Sequence, residues 1–399
     1  MGVNLVQIIT RKGYSEIMGN KNFYYVPCLV CGMLMSVSCK SPIPVQSSGE
    51  VLSSLSKVTD GENKCEYPFG GDNGKNLYFS VQNKGTYARN IYCKTDPFSA
   101  SMSQKTAGKN HNMAPSYCAL TNKIAYAGLQ EGALNRDVYM IDATQSNALI
   151  QVTNTPGEDE NYPCLSRDGR KVVYEKIVGG RVKDCQIWIK DLKTSEEKVL
   201  GPGRMPSFSP DGNQIVFVRY TDDGKNTCLW VMNADGSNTA QLTYAKSDVV
   251  WHPRFSPNGQ QIVFQCAPKR TNKNFDLYVI DKNGNNLTQL TINKSYDGEP
   301  YWSNDGHIYF TSDRGGQAGR YQIWRFKYGS PVSSFDPVQP SYVEPQTYSQ
   351  PAAIHVVSQG ETISQIAKKY NVSVRDIVKW NGLQTMTLTS GMRLKVSAQ

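Results

Sequence analysis

Residues able to do chemistry are few and scattered in this 399-residue chain. Its four histidines are His111, His252, His307 and His355, and none stands at metal-ligand spacing from another His or a Cys. No G-x-S-x-G nucleophile elbow is present. Cys28-x-x-Cys31 has the spacing of a redox pair, yet it lies inside an apolar run and is not read as one. Beyond Cys39 come Cys65, Cys93, Cys118, Cys164, Cys185, Cys228 and Cys266, an odd number, so at least one lacks an intramolecular partner. They are read as small buried hydrophobes. Asp-Gly and Asn-Gly pairs recur, but as hairpin turns they need no calcium. No metal or cofactor is expected.

Those pairs belong to a repeat. Pro68, Pro115, Pro163, Pro206, Pro253 and Pro300 stand 43–48 residues apart, a propeller-blade period. The phrases opened at Pro206 (PSFSPDGNQIVFV), Pro253 (PRFSPNGQQIVFQ), Pro163 and Pro300 are close copies, and those at Pro68 and Pro115 are worn ones. After each turn an apolar run such as Ile215-Val216-Phe217 marks a buried strand. A second strand carries Tyr92, Tyr139, Trp188, Trp230, Tyr278 or Trp324, and a third ends at Thr106, Thr153, Leu200, Thr243 or Thr291. With the strand around the proline, each repeat supplies four short antiparallel strands that must stack on neighbours. No outer strand follows Trp324, so Ser54–Thr59 is expected to complete the last blade and remove an open edge.

The phrase P-x-F-S-P-D-G-x-x-I-x-F resembles the propeller of TolB and related WD40-like proteins, over residues 54–328. TolB also carries an α/β domain ahead of its propeller, for which this chain has no room. The resemblance therefore supports the scaffold more than the partners.

The first residues read as processing signals. Val26–Met35 is too short to span a bilayer and fits a secretory apolar core, with Met18 as an alternative start. Ser36-Val37-Ser38-Cys39 resembles the lipobox of bacterial lipoproteins, although Ser36 stands where Leu is usual. Lipidation at Cys39 is expected, with simple cleavage and secretion as the other reading. Residues 1–38 are then signal and 39–53 a tether. The net charge of +9 suits a soluble basic surface or attraction to an anionic polymer or membrane face. Without a Lys/Arg run interleaved with aromatics, nucleic acid is not expected as a partner.

Residues 329–353 hold five prolines among Ser, Gln and Tyr and read as an extended spacer. Beyond them the pattern changes to a strand, a helix capped by Thr362 with Ile363, Ile366, Ala367 and Tyr370 inward, a second helix ending at Asn381-Gly382, and a strand at Met392–Val396. HVVSQGETISQIAKKY, VSVRDIVKWNGL and GMRLKV resemble the LysM family over 354–397, with Glu361 for the commoner Asp and Met392 for Gln. The resemblance implies binding of N-acetylglucosamine glycans, peptidoglycan in a bacterium, through Gly360, Glu361, Thr362, Ile363, Gly382, Leu383 and Met386. Ile363 and Leu383 would pack the acetamido methyl, or serve as core.

The expected fold is thus an all-β six-bladed propeller with a small C-terminal α+β (β-α-α-β) LysM domain. The expected function is that of a non-catalytic envelope lipoprotein. It would be anchored by Cys39 on the periplasmic side of the outer membrane, hold peptidoglycan, and present the propeller to an envelope protein within a spanning or transport complex. The alternative is a secreted glycan-active enzyme using His111 and His252 near inner strands, as in propeller-fold polysaccharide lyases.

Overall fold

The computed structural model describes residues 52–396, apart from 71–74, 145–148, 245–247, 268–273, 330–353, 371, 373 and 384–387. The Cys39 and Cys28-x-x-Cys31 assignments and the proline-rich spacer lie outside the described residues. From Ser53 to Lys327 the chain is an all-β, propeller-like fold. It contains four four-stranded sheets and one eight-stranded sheet. The eight-stranded sheet is two antiparallel meanders, 64–104 and 111–151, joined by the single parallel pair Arg89↔His111.

Within a repeat, side-chain chemistry sets the strand lengths. The turn after the first strand is tied by one serine and one Asx. Ser209 Oγ donates to Asp211 Oδ1 (2.5 Å), Asn213 N–H donates to the same oxygen (3.1 Å), and Gln214 N–H donates back to Ser209 Oγ (2.9 Å). Ser166 with Asp168 and Ser256 with Asn258 repeat this pattern. Gly212, at φ 74°, supplies the left-handed residue the turn needs.

The threonine at the end of each outer strand has a different role. Its hydroxyl accepts a backbone N–H from the third strand: Ile91 to Thr106 (2.9 Å), Val138 to Thr153 (2.8 Å), Leu229 to Thr243 (2.9 Å) and Leu277 to Thr291 (2.9 Å). The backbone ladder of those four outer strands is only two residues long. Leu200 has no hydroxyl to offer. There the outer strand runs for six residues, Glu197–Pro202, and the ladder continues to Gln186↔Pro202.

Ser53–Lys57 pairs antiparallel with Gln322–Lys327 and is the outer strand of the last sheet. Thr59 Oγ1 accepts Ile323 N–H (2.8 Å), so the seam carries the same bond as the interior repeats. Six apolar clusters lie between successive repeats. The one at the seam joins Val58, Cys65, Leu77, Phe79 and Val81 to Tyr309 and Ile323. All seven described cysteines are buried thiols outside any disulfide, as expected of packing residues.

The C-terminal residues form a two-stranded sheet (Ile354–Val356 with Arg393–Lys395) and two helices, α1 (Ile363–Tyr370) and α2 (Val374–Asn381). Their core is Val357, Ile363, Ile366, Ala367, Ile377, Leu394 and Val396.

Because the seam uses the same hydroxyl bond as the interior repeats, Thr59→Val and Thr106→Val should cost the same. Each leaves a buried N–H without its acceptor, a loss of about 1–3 kcal/mol. Urea unfolding of both variants checks this. A Thr59→Val protein as stable as wild type would show that the seam does not hold the ring.

Candidate functional site

One residue per repeat, the one before each proline, has a left-handed backbone: Tyr67, Ala114, Tyr162, Met205, His252 and Glu299, at φ 50–58°. Each sits where the register of the innermost strand shifts against its neighbour, as between Glu66 and Phe69 or Trp251 and Arg254. A proline has no N–H for the ladder, so the strand bulges there and the preceding side chain is re-aimed.

The bulges of the first, third and fifth repeats bring three rings together. Tyr67 and Tyr162 have centroids 6.2 Å apart, and His252 lies 5.8 Å and 5.1 Å from them. Ring contacts between alternate repeats require the rings to meet across the central channel. A second layer follows, in which Phe69 packs on Tyr301 (4.7 Å) and Arg254 reaches over Phe69 (5.2 Å). The channel is thus filled by side chains along this stretch.

Buried charges surround the rings, each with a partner. Glu175, fully buried, takes Arg204 Nε (3.2 Å) and Nη2 (3.0 Å) and also Met205 N–H (3.1 Å), tying the third repeat to the fourth. Glu299 Oε2 accepts Tyr67 N–H (2.9 Å) and Thr311 Oγ–H (2.7 Å), and Glu299 N–H donates to Gln265 Oε1 (2.6 Å). Glu66 pairs with Arg89 (2.7 Å) and Asp297 with Arg314. Burial, and then the Glu66 charge, push the Glu299 carboxyl well above the usual carboxylate range.

The two histidines nearest the inner strands lie near guanidiniums. Burial, with Arg254 and Arg204 nearby, pushes His252 down to about 3, and burial with Arg89 and Arg136 pushes His111 down to about 4. Both are neutral near pH 7, and the charges that act on them are guanidiniums, not carboxylates. Among the described residues no three His, Cys, Asp or Glu side chains gather as a metal site.

At the end of the channel where the inner strands begin, the loops between second and third strands carry Tyr87 and Leu134, 94% and 96% exposed. A cleft of about 320 Å³ on the same end is lined by Cys185, Arg204, Arg219 and Tyr220, among others.

In the C-terminal module, Gly360 is exposed at φ 79° in the turn before α1, and Gly382 is exposed at φ 60° just after α2. Thr362 caps α1 in a reciprocal box with Gln365: Thr362 N–H donates to Gln365 Oε1 (2.8 Å) and Gln365 N–H to Thr362 Oγ1 (3.4 Å). Ile363 is 4% exposed and belongs to the core, and Leu383 packs against the same cluster half-buried. The side chain of Ile363 is therefore turned inward. Glu361 points inward too, its Oε2 2.7 Å from His355 Nε2. Met386 lies outside the described residues. Sequence reasoning missed the residues before the prolines and the role of His355. The first had a signal in the fixed position before a repeated proline, and the second in a lone imidazole within an apolar strand.

Glu299 makes the propeller sensitive to base. A carboxyl whose folded-state pKa is raised contributes stability fully below its unfolded value and loses it as pH rises through the raised one. Wild type should therefore melt at lower temperature at about pH 9 than at about pH 5, and Glu299→Gln, whose amide oxygen still accepts Tyr67 N–H, should shrink that difference. Thermal melts at both pH values decide it, and an unchanged difference in the variant would refute the assignment.

A family model described as TolB beta propeller domain matches residues 245–391. The chain is 23% identical over 241 residues to the hydrazine synthase subunit alpha of Kuenenia stuttgartiensis, covering 43% of this chain and 28% of that protein. It is 33% identical over 84 residues to the Tol-Pal system protein TolB of Anaeromyxobacter dehalogenans, covering 20% and 18% respectively. The chain thus spans less than a third of either curated relative. Among solved structures, a putative TolB from Agrobacterium tumefaciens aligns with a TM-score of 0.50 at 17% identity, over 69% of this chain and 97% of that one. An oligogalacturonate lyase in complex with manganese aligns with a TM-score of 0.48 at 17% identity, over 69% and 93%. The chain carries a TolB-like β-propeller domain.

Proposed function

We propose that this protein is a non-catalytic cell-envelope lipoprotein whose six-bladed propeller docks a protein partner and whose C-terminal module holds peptidoglycan. Counting the eight-stranded sheet as two blades gives six, one for each proline of the repeat. The observation that carries the platform reading is the filled channel: Tyr67, Tyr162 and His252 meet on the axis, with guanidiniums as the charges acting on the imidazole. A filled axis leaves the loop ends as the working surface, and there Tyr87 and Leu134 stand in solvent.

The β-α-α-β order and the exposed glycine turns at Gly360 and Gly382 support reading 354–397 as a LysM domain. In that reading the backbone of Gly360, Glu361, Thr362 and Gly382 pairs the acetamido groups of an N-acetylglucosamine polymer. Ile363 supports the loop from within, and Leu383 and Met386 offer apolar contact. Lipidation at Cys39 would fix the chain to the outer membrane on its periplasmic side. The glycan-active alternative rests on His111 and His252, and the charges acting on both are guanidiniums, which does not favour it.

Four measurements test the proposal. The full chain should sediment with insoluble peptidoglycan at low salt, and a chain ending at residue 353 should not. Equal retention of the two would remove the glycan role. Crosslinking in intact envelopes should capture a protein that Tyr87→Ala with Leu134→Ala loses, at the cost of about 2 kcal/mol or more typical of interface hot spots. Fatty-acid labelling should vanish in Cys39→Ala. Turnover of uronate or amino-sugar polymers that His252→Ala abolishes would overturn the non-catalytic reading.

A further inference from the structure

We propose that His355 is the positioning residue of the turn before α1, holding it in shape through Glu361. What that turn presents rests on the glycan reading above, but the geometry stands without it. His355 is 6% exposed on the short strand Ile354–Val356. Its Nε2 lies 2.7 Å from Glu361 Oε2 and its Nδ1 lies 3.1 Å from the Tyr370 hydroxyl on α1, with the two rings edge to face at 5.4 Å. Facing a carboxylate, Nε2 carries the proton, and Nδ1 accepts Tyr370 O–H when the ring is neutral.

The same carboxylate oxygen accepts Ser358 N–H (2.9 Å), and Glu361 N–H donates to Ser358 O (3.1 Å). The turn 358–361 is therefore closed twice, once by backbone and once by a side chain whose orientation His355 fixes. Tyr370 in turn fixes His355 from the far end of α1. Strand, turn and helix are joined by one chain of hydrogen bonds. A single imidazole decides whether the Glu361 carboxylate stays under the turn or swings to solvent.

The charged groups around this chain are few. Ser358 N–H and the His355 ring hold the Glu361 carboxyl below the usual carboxylate range, helped by Lys369 on α1, whose Nζ also lies 5.8 Å from the Tyr370 ring. Opposite His355 on the paired strand is Leu394, and its neighbours Arg393 and Lys395 are exposed, on the other side of the sheet. From α2 the packing residues are the apolar Val374, Ile377 and Val378. With the folded pKa of Glu361 depressed, the tie is complete above the ordinary carboxylate value and is lost as pH falls through the depressed one. Acid is thus a handle on this one bond.

The test uses the full chain, with insoluble chitin (a neutral N-acetylglucosamine polymer) as probe and the Ser358 amide, followed by nitrogen-15 NMR, as an independent readout. In wild type the Ser358 amide should shift as Glu361 titrates in acid, and chitin retention should fall with it. Glu361→Gln keeps an acceptor for Ser358 N–H but cannot titrate, so its acid profile should be flat. His355→Phe keeps the ring against Tyr370 but loses both nitrogens. It should release the Ser358 amide and weaken chitin binding about tenfold, the equivalent of roughly 1.4 kcal/mol. An unchanged Ser358 amide in His355→Phe, or a wild-type acid profile in Glu361→Gln, overturns the proposal. If wild type never binds chitin while Ser358 still follows Glu361 and His355, the positioning role stands and the glycan reading falls.

Discussion

Everything in the propeller depends on a seam with no covalent bond across it. Each four-stranded sheet has two faces to bury, and neighbours supply that burial only if the series has no first or last member. Residues 53–59 meet this need by crossing to the strand Gln322–Lys327 and adding the apolar patch that unites Val58, Cys65 and Leu77 with Tyr309 and Ile323. Without that crossing, one sheet would expose its outer edge and two would expose an apolar face. The hydroxyl of Thr59 gives the crossing the same closing bond as an interior repeat.

Much of this architecture is periodic and was therefore legible. Proline, Asx-Gly and terminal threonine recur at fixed offsets and mark the repeat, its turns and its strand ends, while the bulge at each proline comes from the structure alone. Even the exception was visible, since Leu200 interrupts the threonine series and the longer strand Glu197–Pro202 compensates for it. The same logic read the C-terminal helices, whose apolar spacing matches the core formed by Ile363, Ile366 and Ala367.

The channel was not legible, because its contents are aperiodic. Tyrosine, alanine, tyrosine, methionine, histidine and glutamate share one backbone position but no chemistry, so no pattern marks them. A residue before proline is ordinarily extended, and the left-handed φ at Tyr67 or His252 runs against that local preference. The fit across the axis is also a property of the closed ring. Aromatic rings alternate with smaller or carboxyl-bearing residues, which lets three rings meet where six would collide. Buried pairs such as Glu175 with Arg204 belong to the same class. That pair ties the third repeat to the fourth, whereas Glu66 with Arg89 and Asp297 with Arg314 tie elements within a single repeat.

The register at the seam also has a mechanical meaning. Ser53 lies opposite Lys327, so the chain enters and leaves the ring side by side at one end of one sheet. Tension between the segments before Ser53 and after Lys327 would bypass five of the sheet repeats altogether. It would fall on the rungs of a single antiparallel strand pair, loaded at the Ser53 end and opened one after another, as a zipper is, instead of all at once in shear. The ring would then act as a load-limiting link, the first part to open when its two ends are drawn apart.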